Sequence, residues 1–249
     1  MRLELETRRF YLGRDYSEAV EAAGGLPVHI PLIPDAIYIE AVVGGLDGIL
    51  LPGSDTDVDP ARFGEEPHPK LKKVIPEKDE TDMLVLEHAE KLNLPVLAIC
   101  YGMQALNVSR GGTLIQDIEA QGNDNVKHEQ GLPLERESHS VTLADASLVS
   151  AAAGKKLKWR VNSHHHQAVA ELGRDLKAVA WASDEVIEAV EDSRSEHYVM
   201  GVQWHPELSW RTDELSRAIF ESFVSRCSMT KAGDTSSPFE NAVDAVLVG

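Results

Sequence analysis

Pro95-Val96-Leu97-Ala98-Ile99-Cys100-Tyr101-Gly102-Met103-Gln104 is the stretch on which the fold turns. Residues 95–99 form a short apolar run without polar alternation, the pattern of a strand covered on both faces. Tyr101 to Arg110 is helix-compatible, so Cys100 falls at a strand-to-helix junction. A thiolate attacks a carboxamide well only if the thiolate is stabilised and the carbonyl polarised, and a helix N-terminus directly after the cysteine supplies both effects. The run has the layout of a nucleophile elbow: Gly102 permits the close approach such a turn needs, and the Tyr101 amide faces the place of an oxyanion. In isolation the same pattern also describes a small buried hydrophobe.

Outward from this stretch, helix-like and strand-like segments alternate, as in a parallel sheet with crossover helices. Arg14 to Ala23 carries Tyr16, Ala19, Val20 and Ala23 at helical spacing and stops at Gly24-Gly25. A strand is predicted over Leu26 to Leu32, a helix over Pro34 to Val43 and a strand over Gly48 to Leu51, ended by Pro52-Gly53. Ser54 to Pro76 reads as a long functional loop and Glu77 to Leu92 as a helix. After Gly111-Gly112 the pattern turns to short β segments that resemble antiparallel pieces completing a mixed sheet: Thr113 to Ile118, His139 to Leu143, Lys158 to Val161, Leu176 to Ala182, Val186 to Glu191 and Tyr198 to Trp204. Asp213 to Cys227 closes the fold as an amphipathic helix. The expectation is a three-layer α/β sandwich with a mostly parallel central sheet and the site at the C-terminal ends of its strands. Residues 1–227 form one domain and 228–249 a tail.

A base must lie within hydrogen-bond reach of the sulfur and an acid must orient the base, and both can come from far along the chain. Tyr198 to Trp204 ends at His205-Pro206-Glu207, which presents an imidazole and a carboxylate at another strand terminus. The proline stiffens the link, so that Glu207 can be held against the ring nitrogen turned away from the thiol.

The bulk properties narrow the partners. With 249 residues and 43% hydrophobic composition the chain can bury one large core. A net charge of −17 opposes binding to nucleic acid or to an anionic membrane and leaves a small molecule as the expected partner. No apolar run reaches bilayer length and MRLELETRRF has no signal-peptide stretch, so a cytoplasmic location is expected. The two cysteines, Cys100 and Cys227, lie in different settings and suit free thiols better than a disulfide. Cys227 reads as an ordinary helix residue, and oligomeric state is open, a homodimer included.

AICYGMQ followed by GVQWHPE resembles the class I glutamine amidotransferases, whose nucleophile elbow and HPE triplet form a Cys-His-Glu triad. LDGILLPGSDTDVDPARFG, AICYGMQALNVSRGGTLIQDI, VNSHHHQAV and GVQWHPE together resemble the γ-glutamyl-γ-aminobutyrate hydrolase (peptidase C26) branch, over most of Arg14 to Val224. Ala98, where typical amidotransferases have glycine, is usual in that branch. The resemblance implies a flavodoxin-like fold and hydrolysis of a γ-glutamyl amide through a cysteine thioester, with no cofactor. It implies Cys100 as nucleophile, His205 as base and Glu207 as orienting acid. It places the oxyanion hole at the amides of Tyr101 and of Gly53 or Ser54, and substrate contacts at Gln104 and the Ser163-His164 backbone. The competing enzyme reading is a glutaminase subunit passing ammonia to a separate synthetase; the non-enzymatic one is a binding homologue. Members of the family begin with a short apolar strand that MRLELETRRF lacks, and the C-terminal AVDAVLV stretch is a candidate to compensate for it.

Two patterns invite metal readings. His164-His165-His166 fails as a single ligand set, because neighbouring residues of an extended chain alternate faces. Asp55, Asp57 and Asp59 lack the later glycine and glutamate of a calcium loop and read as a solvated acidic loop. No metal is expected, and no P-loop, G-x-G-x-x-G or G-x-S-x-G occurs.

Overall fold

A computed structural model of the chain describes residues 1–4, 9–122, 125–194 and 196–230. In chain order its elements are β1 (Arg2–Glu4), β2 (Arg9–Tyr11), α1 (Arg14–Ala22), α2 (Ala36–Val43), β3 (Ile49–Leu51), α3 (Pro76–Lys91), β4 (Val96–Ile99) and α4 (Tyr101–Ser109). There follow β5 (Leu114–Ile115), β6 (His139–Leu143), α5 (Leu148–Ala152), β7 (Lys158–Val161), β8 (Ala168–Val169), β9 (Leu176–Ala182), β10 (Ile187–Asp192), β11 (Val199–Val202) and α6 (Glu214–Thr230).

Among the described residues the main sheet has seven strands in the order β3-β4-β11-β10-β9-β6-β7. β4 runs parallel to β3 on one side and to β11 on the other, with Ile99 opposite Val202. Every other pairing in this sheet is antiparallel. The α/β class and the mixed sheet hold, with the parallel part confined to β3, β4 and β11.

Period-two alternation along β4 builds a core on each face. Leu97 and Ile99 pack with Tyr16, Ala19 and the apolar stripe of α6, Leu215, Ile219, Phe220 and Phe223. Val96 and Ala98 face the opposite way, onto Ile39, Val43, Val85, Leu86 and Leu106 of α2, α3 and α4. Burial of a side chain of this size contributes roughly 1.5–3 kcal/mol. Helix starts follow local chemistry. Asp35 caps α2 by accepting from the Tyr38 amide at 2.8 Å, which moves its start from Pro34 to Ala36. Pro76 stands at the head of α3, where its missing N–H leaves no helical bond unmade.

The N-terminal region differs from expectation. Leu26 to Leu32 forms no strand, and Leu26 and Val28 are 90% and 60% exposed. β1 and β2 pair antiparallel with each other in a ribbon separate from the main sheet. The outer edge of β3 therefore has no strand partner among the described residues. A cavity of about 490 Å³ lies alongside that edge, lined in part by Val20, Leu46, Gly48, Phe223 and Cys227. The AVDAVLV stretch lies outside the described residues, as does most of the 228–249 tail; α6 itself continues to Thr230.

Candidate active site

The three parallel strands end at one edge of the sheet, and each delivers part of the site there. Cys100 follows β4 directly, its amide donating to Val202 O at 2.8 Å, and His205 lies three residues beyond the end of β11. Gly53 lies just past β3. Cys100 takes φ 51° and ψ −109°, a left-handed conformation that a side chain rarely adopts. The strain is fixed by its surroundings: β4 is buried along its whole length, and a Cβ on Gly102 would press against the Leu51 carbonyl, so only glycine lets α4 start so close to β3.

His205 Nδ1 lies 2.6 Å from Glu207 Oε1, and the ring's other side engages the Cys100 thiol. Burial pulls the imidazole pKa down, but the Glu207 carboxylate and the Cys100 sulfur outweigh it and hold His205 well above its ordinary value. All three side chains are buried. The arrangement thus favours a charged imidazole beside the sulfur, with Glu207 as its counter-ion.

Two residues that sequence reading did not assign to the site build its frame. Asn162 clamps the His205 backbone from both sides, donating from Nδ2 to His205 O and accepting from His205 N, each at 2.8 Å. Tyr16, read from the sequence as one apolar position of α1, accepts from the Gly53 amide at 3.0 Å. Burial and the adjacent Glu207 charge push the Tyr16 phenol pKa well up, so it remains a neutral donor facing that carboxylate. An amide-bearing strand end such as VNS at 161–163 carries no periodic signal, and a tyrosine at a helical core position looks like packing alone.

The remaining expected residues divide. Tyr101 opens α4, whose leading amides have no intrahelical acceptor, while its side chain points away and donates to Asp79 Oδ1 at 2.5 Å. The Gly53 amide is occupied by Tyr16, which leaves Ser54 as the donor from that turn. Gly53 matters by its size: a Cβ there would lie 2.7 Å from His205 Cε1. Gln104 is buried and its Nε2 donates to Gln167 O and Gln203 Oε1, both at 3.2 Å. Ser163 is fully buried, its amide donating to Gln130 Oε1 at 2.9 Å and its carbonyl accepting from Gln130 N at 3.0 Å. His164 does reach the site, its ring edge-on to His205 at 5.7 Å between centroids.

The three adjacent histidines diverge, as alternation requires. His164 donates to Leu134 O at 2.7 Å, His165 turns into the interior and His166 lies 2.9 Å from Asp57 Oδ1. Asp57 is accordingly buried, not solvated as the acidic-loop reading had it, and also accepts from the Lys72 amide at 2.6 Å. Cys227 is half-buried, and burial beside Asp47 pushes its thiol up to about 12, which leaves it inert at neutral pH. No helix among the described residues is long and apolar enough to cross a membrane.

Comparison with known proteins gives the same outline. The family model for peptidase C26 matches residues 3–207. Protein NtpR of Enterococcus hirae is 34% identical over 215 residues, covering 86% of this chain and 88% of that protein. The γ-glutamyl-γ-aminobutyrate hydrolase PuuD of Escherichia coli K12 is 35% identical over 228 residues, covering 87% and 86%. Among solved structures, the glutaminase domain of Trypanosoma brucei CTPS with bound acivicin superposes with a TM-score of 0.60 at 14% identity, over 86% of this chain and 87% of that one. That likeness bears on the fold.

Proposed function

The chain belongs to the peptidase C26 family and is a glutamine-amidotransferase-like hydrolase; from that premise we propose that it hydrolyses a γ-glutamyl amide, such as γ-glutamyl-γ-aminobutyrate, through a thioester on Cys100. The observation that carries this reading is the placement of Cys100, in its strained elbow, against a His205 ring held 2.6 Å from Glu207. The sulfur attacks the γ-carbonyl, and the oxyanion that develops is met by the amides of Tyr101 and Ser54. His205 then donates its proton to the departing amine, and the C–N bond breaks to leave a γ-glutamyl thioester. Water attacks the thioester carbonyl while His205 takes its proton, releasing glutamate and restoring the thiol. Every step uses groups of this chain. Glu207 does not exchange protons; it keeps the imidazole oriented and charged when needed.

The name of PuuD supports the choice of γ-glutamyl-γ-aminobutyrate, and the net charge of −17 supports a small-molecule partner over nucleic acid or an anionic membrane. The test is glutamate release from γ-glutamyl-γ-aminobutyrate and from glutamine, by the wild type and by Cys100→Ala. The expected outcome is release from the first compound, lost by at least about 10³-fold in the variant with its melting point retained. Release mainly from glutamine would replace this reading with a glutaminase, and turnover that survives in Cys100→Ala would remove the thioester.

A further inference from the structure

Glu188, the second residue of β10, is fully buried, and three buried imidazoles converge on its Oε1. His139 Nε2 lies 2.9 Å away, His128 Nδ1 3.2 Å and His165 Nε2 3.6 Å. The four residues come from separate places in the sequence: the segment before β6, the first residue of β6, the segment between β7 and β8, and β10.

The outer bond of His165 fixes which of its nitrogens carries a proton. His165 Nδ1 lies 2.9 Å from Gln167 O, a carbonyl that can only accept, so Nδ1 bears the hydrogen and the neutral ring turns the Nε2 lone pair inward. His128 stands between two buried carboxylates, its Nε2 3.0 Å from Asp184 Oδ2 and its Nδ1 3.2 Å from Glu188 Oε1. At His165 an acceptor nitrogen thus points at an acceptor oxygen in a dry interior. His128 Nδ1, His165 Nε2 and Glu188 Oε2 are all buried without a hydrogen-bond partner. Orphaned polar atoms of this kind each cost about 1–3 kcal/mol unless something satisfies them.

We propose that His128, His139, His165 and Glu188 bind a divalent transition metal, zinc by the chemistry of the set, as a structural site distinct from the catalytic triad. Three imidazoles and one carboxylate are a zinc donor set, and bonds of about 2.0–2.1 Å to a tetrahedral ion require ligand atoms roughly 3.3 Å apart; the distances from Glu188 Oε1 to the imidazoles bracket that value, with His165 the outermost of the three. The donor atoms of His128, His139 and Glu188 lie within 4.8 Å of one another. Asp184 and Gln167 O act as the outer partners that orient metal-bound imidazoles. A second acidic group, Glu90 with Asp192 and His197, has no such character, because Arg110 and Arg194 already neutralise its carboxylates.

The site has a structural purpose. It pins the chain before β6 to the segment after β7, where Ser163 Oγ donates to His128 O at 2.6 Å and the preceding Asn162 clamps His205. The ion would hold the wall of the active site without touching the substrate.

The test uses the full chain, purified without a histidine tag from zinc-supplemented culture. Elemental analysis is expected to find about one equivalent of zinc per chain, unchanged in His88→Ala and at background in His139→Ala and Glu188→Gln. Asp184→Asn, which removes an outer partner only, should weaken zinc binding by about 10–100-fold without abolishing it. Should the ligand variants fail to fold, the wild type decides. After chelator treatment, Zn²⁺ should raise the melting midpoint by roughly 5 °C or more, and Co²⁺ should give the intense visible absorption of a tetrahedral site. Metal at background in the wild type, with no shift by Zn²⁺ and no cobalt band, would overturn the site and leave a proton-held cluster. Full zinc content in folded Glu188→Gln would do the same. Metal content and glutamate release are separate readouts, so loss of this site would not remove the triad mechanism.

Discussion

Cys100, the proposed nucleophile, sits on a backbone conformation that resists a side chain. A side chain at φ 51° and ψ −109° costs on the order of 1–3 kcal/mol, which the packed strand and helix on either side must hold in place. Cys100→Gly should therefore be more resistant to urea than Cys100→Ala, by roughly 1 kcal/mol, though both are inactive; equal midpoints would show that the elbow stores no strain. The neighbouring pair sets the pH response. His205 is held above its ordinary value chiefly by Glu207, so Glu207→Gln should move the alkaline limb of the kcat/KM profile to lower pH and reduce its plateau by about 10²-fold. The same pairing stabilises the fold fully below the ordinary histidine value, near ~6.5, and that contribution is lost as pH rises through the elevated one. The residues of the proposed triad could be singled out in the sequence because each stands at or just beyond a strand end. Tyr16 and Asn162 were not, since nothing local distinguishes a framing phenol or amide from ordinary packing.

At the level of elements, the junction of β3, β4 and α4 is the most constrained. Gly102→Ala would drive a methyl group into the Leu51 backbone, which cannot swing aside as a side chain can. We expect a loss of about 2–4 kcal/mol in chemical denaturation and a parallel fall in glutamate release. Helices and the antiparallel strands were largely readable: His139 to Leu143, Lys158 to Val161 and Leu176 to Ala182 are found with the limits their alternation predicts. Leu26 to Leu32 shows where that reading stops. Its residues favour a strand, but a strand exists only through its ladder, and the segment has no hydrogen-bonded neighbour at the open edge of β3. That the short segments after Gly112 complete a mixed sheet was legible from the change of pattern there; how few of the strands run parallel was not, since short apolar strands look alike whichever way their neighbours run.

Across the whole molecule, one charged network joins regions far apart in sequence. Arg110, directly after α4, donates to Asp192 Oδ2 at 2.7 Å and to Glu90 of α3 at 2.5 Å, and Arg194 reaches both carboxylates as well. Burial raises the Asp192 pKa, but its bonds to Arg194 and Arg110 prevail and lower it to about 2. A depressed carboxyl stabilises above its unfolded value and loses that contribution as pH falls through the folded one. Stability should thus decline between about pH 4 and pH 2, and Asp192→Asn should flatten that part of an acid titration while costing roughly 2–4 kcal/mol at neutral pH. An unchanged acid limb in the variant would assign the decline to other carboxylates. The pairing of β4 with β11 also has a consequence in time. During synthesis Cys100 leaves the ribosome long before His205, and the strand that carries the base must insert between β4 and β10, both made earlier. A nascent chain can therefore expose the Cys100 thiol before His205 exists to meet it, and the proposed pair assembles only once β11 has been made and has taken its place in the sheet.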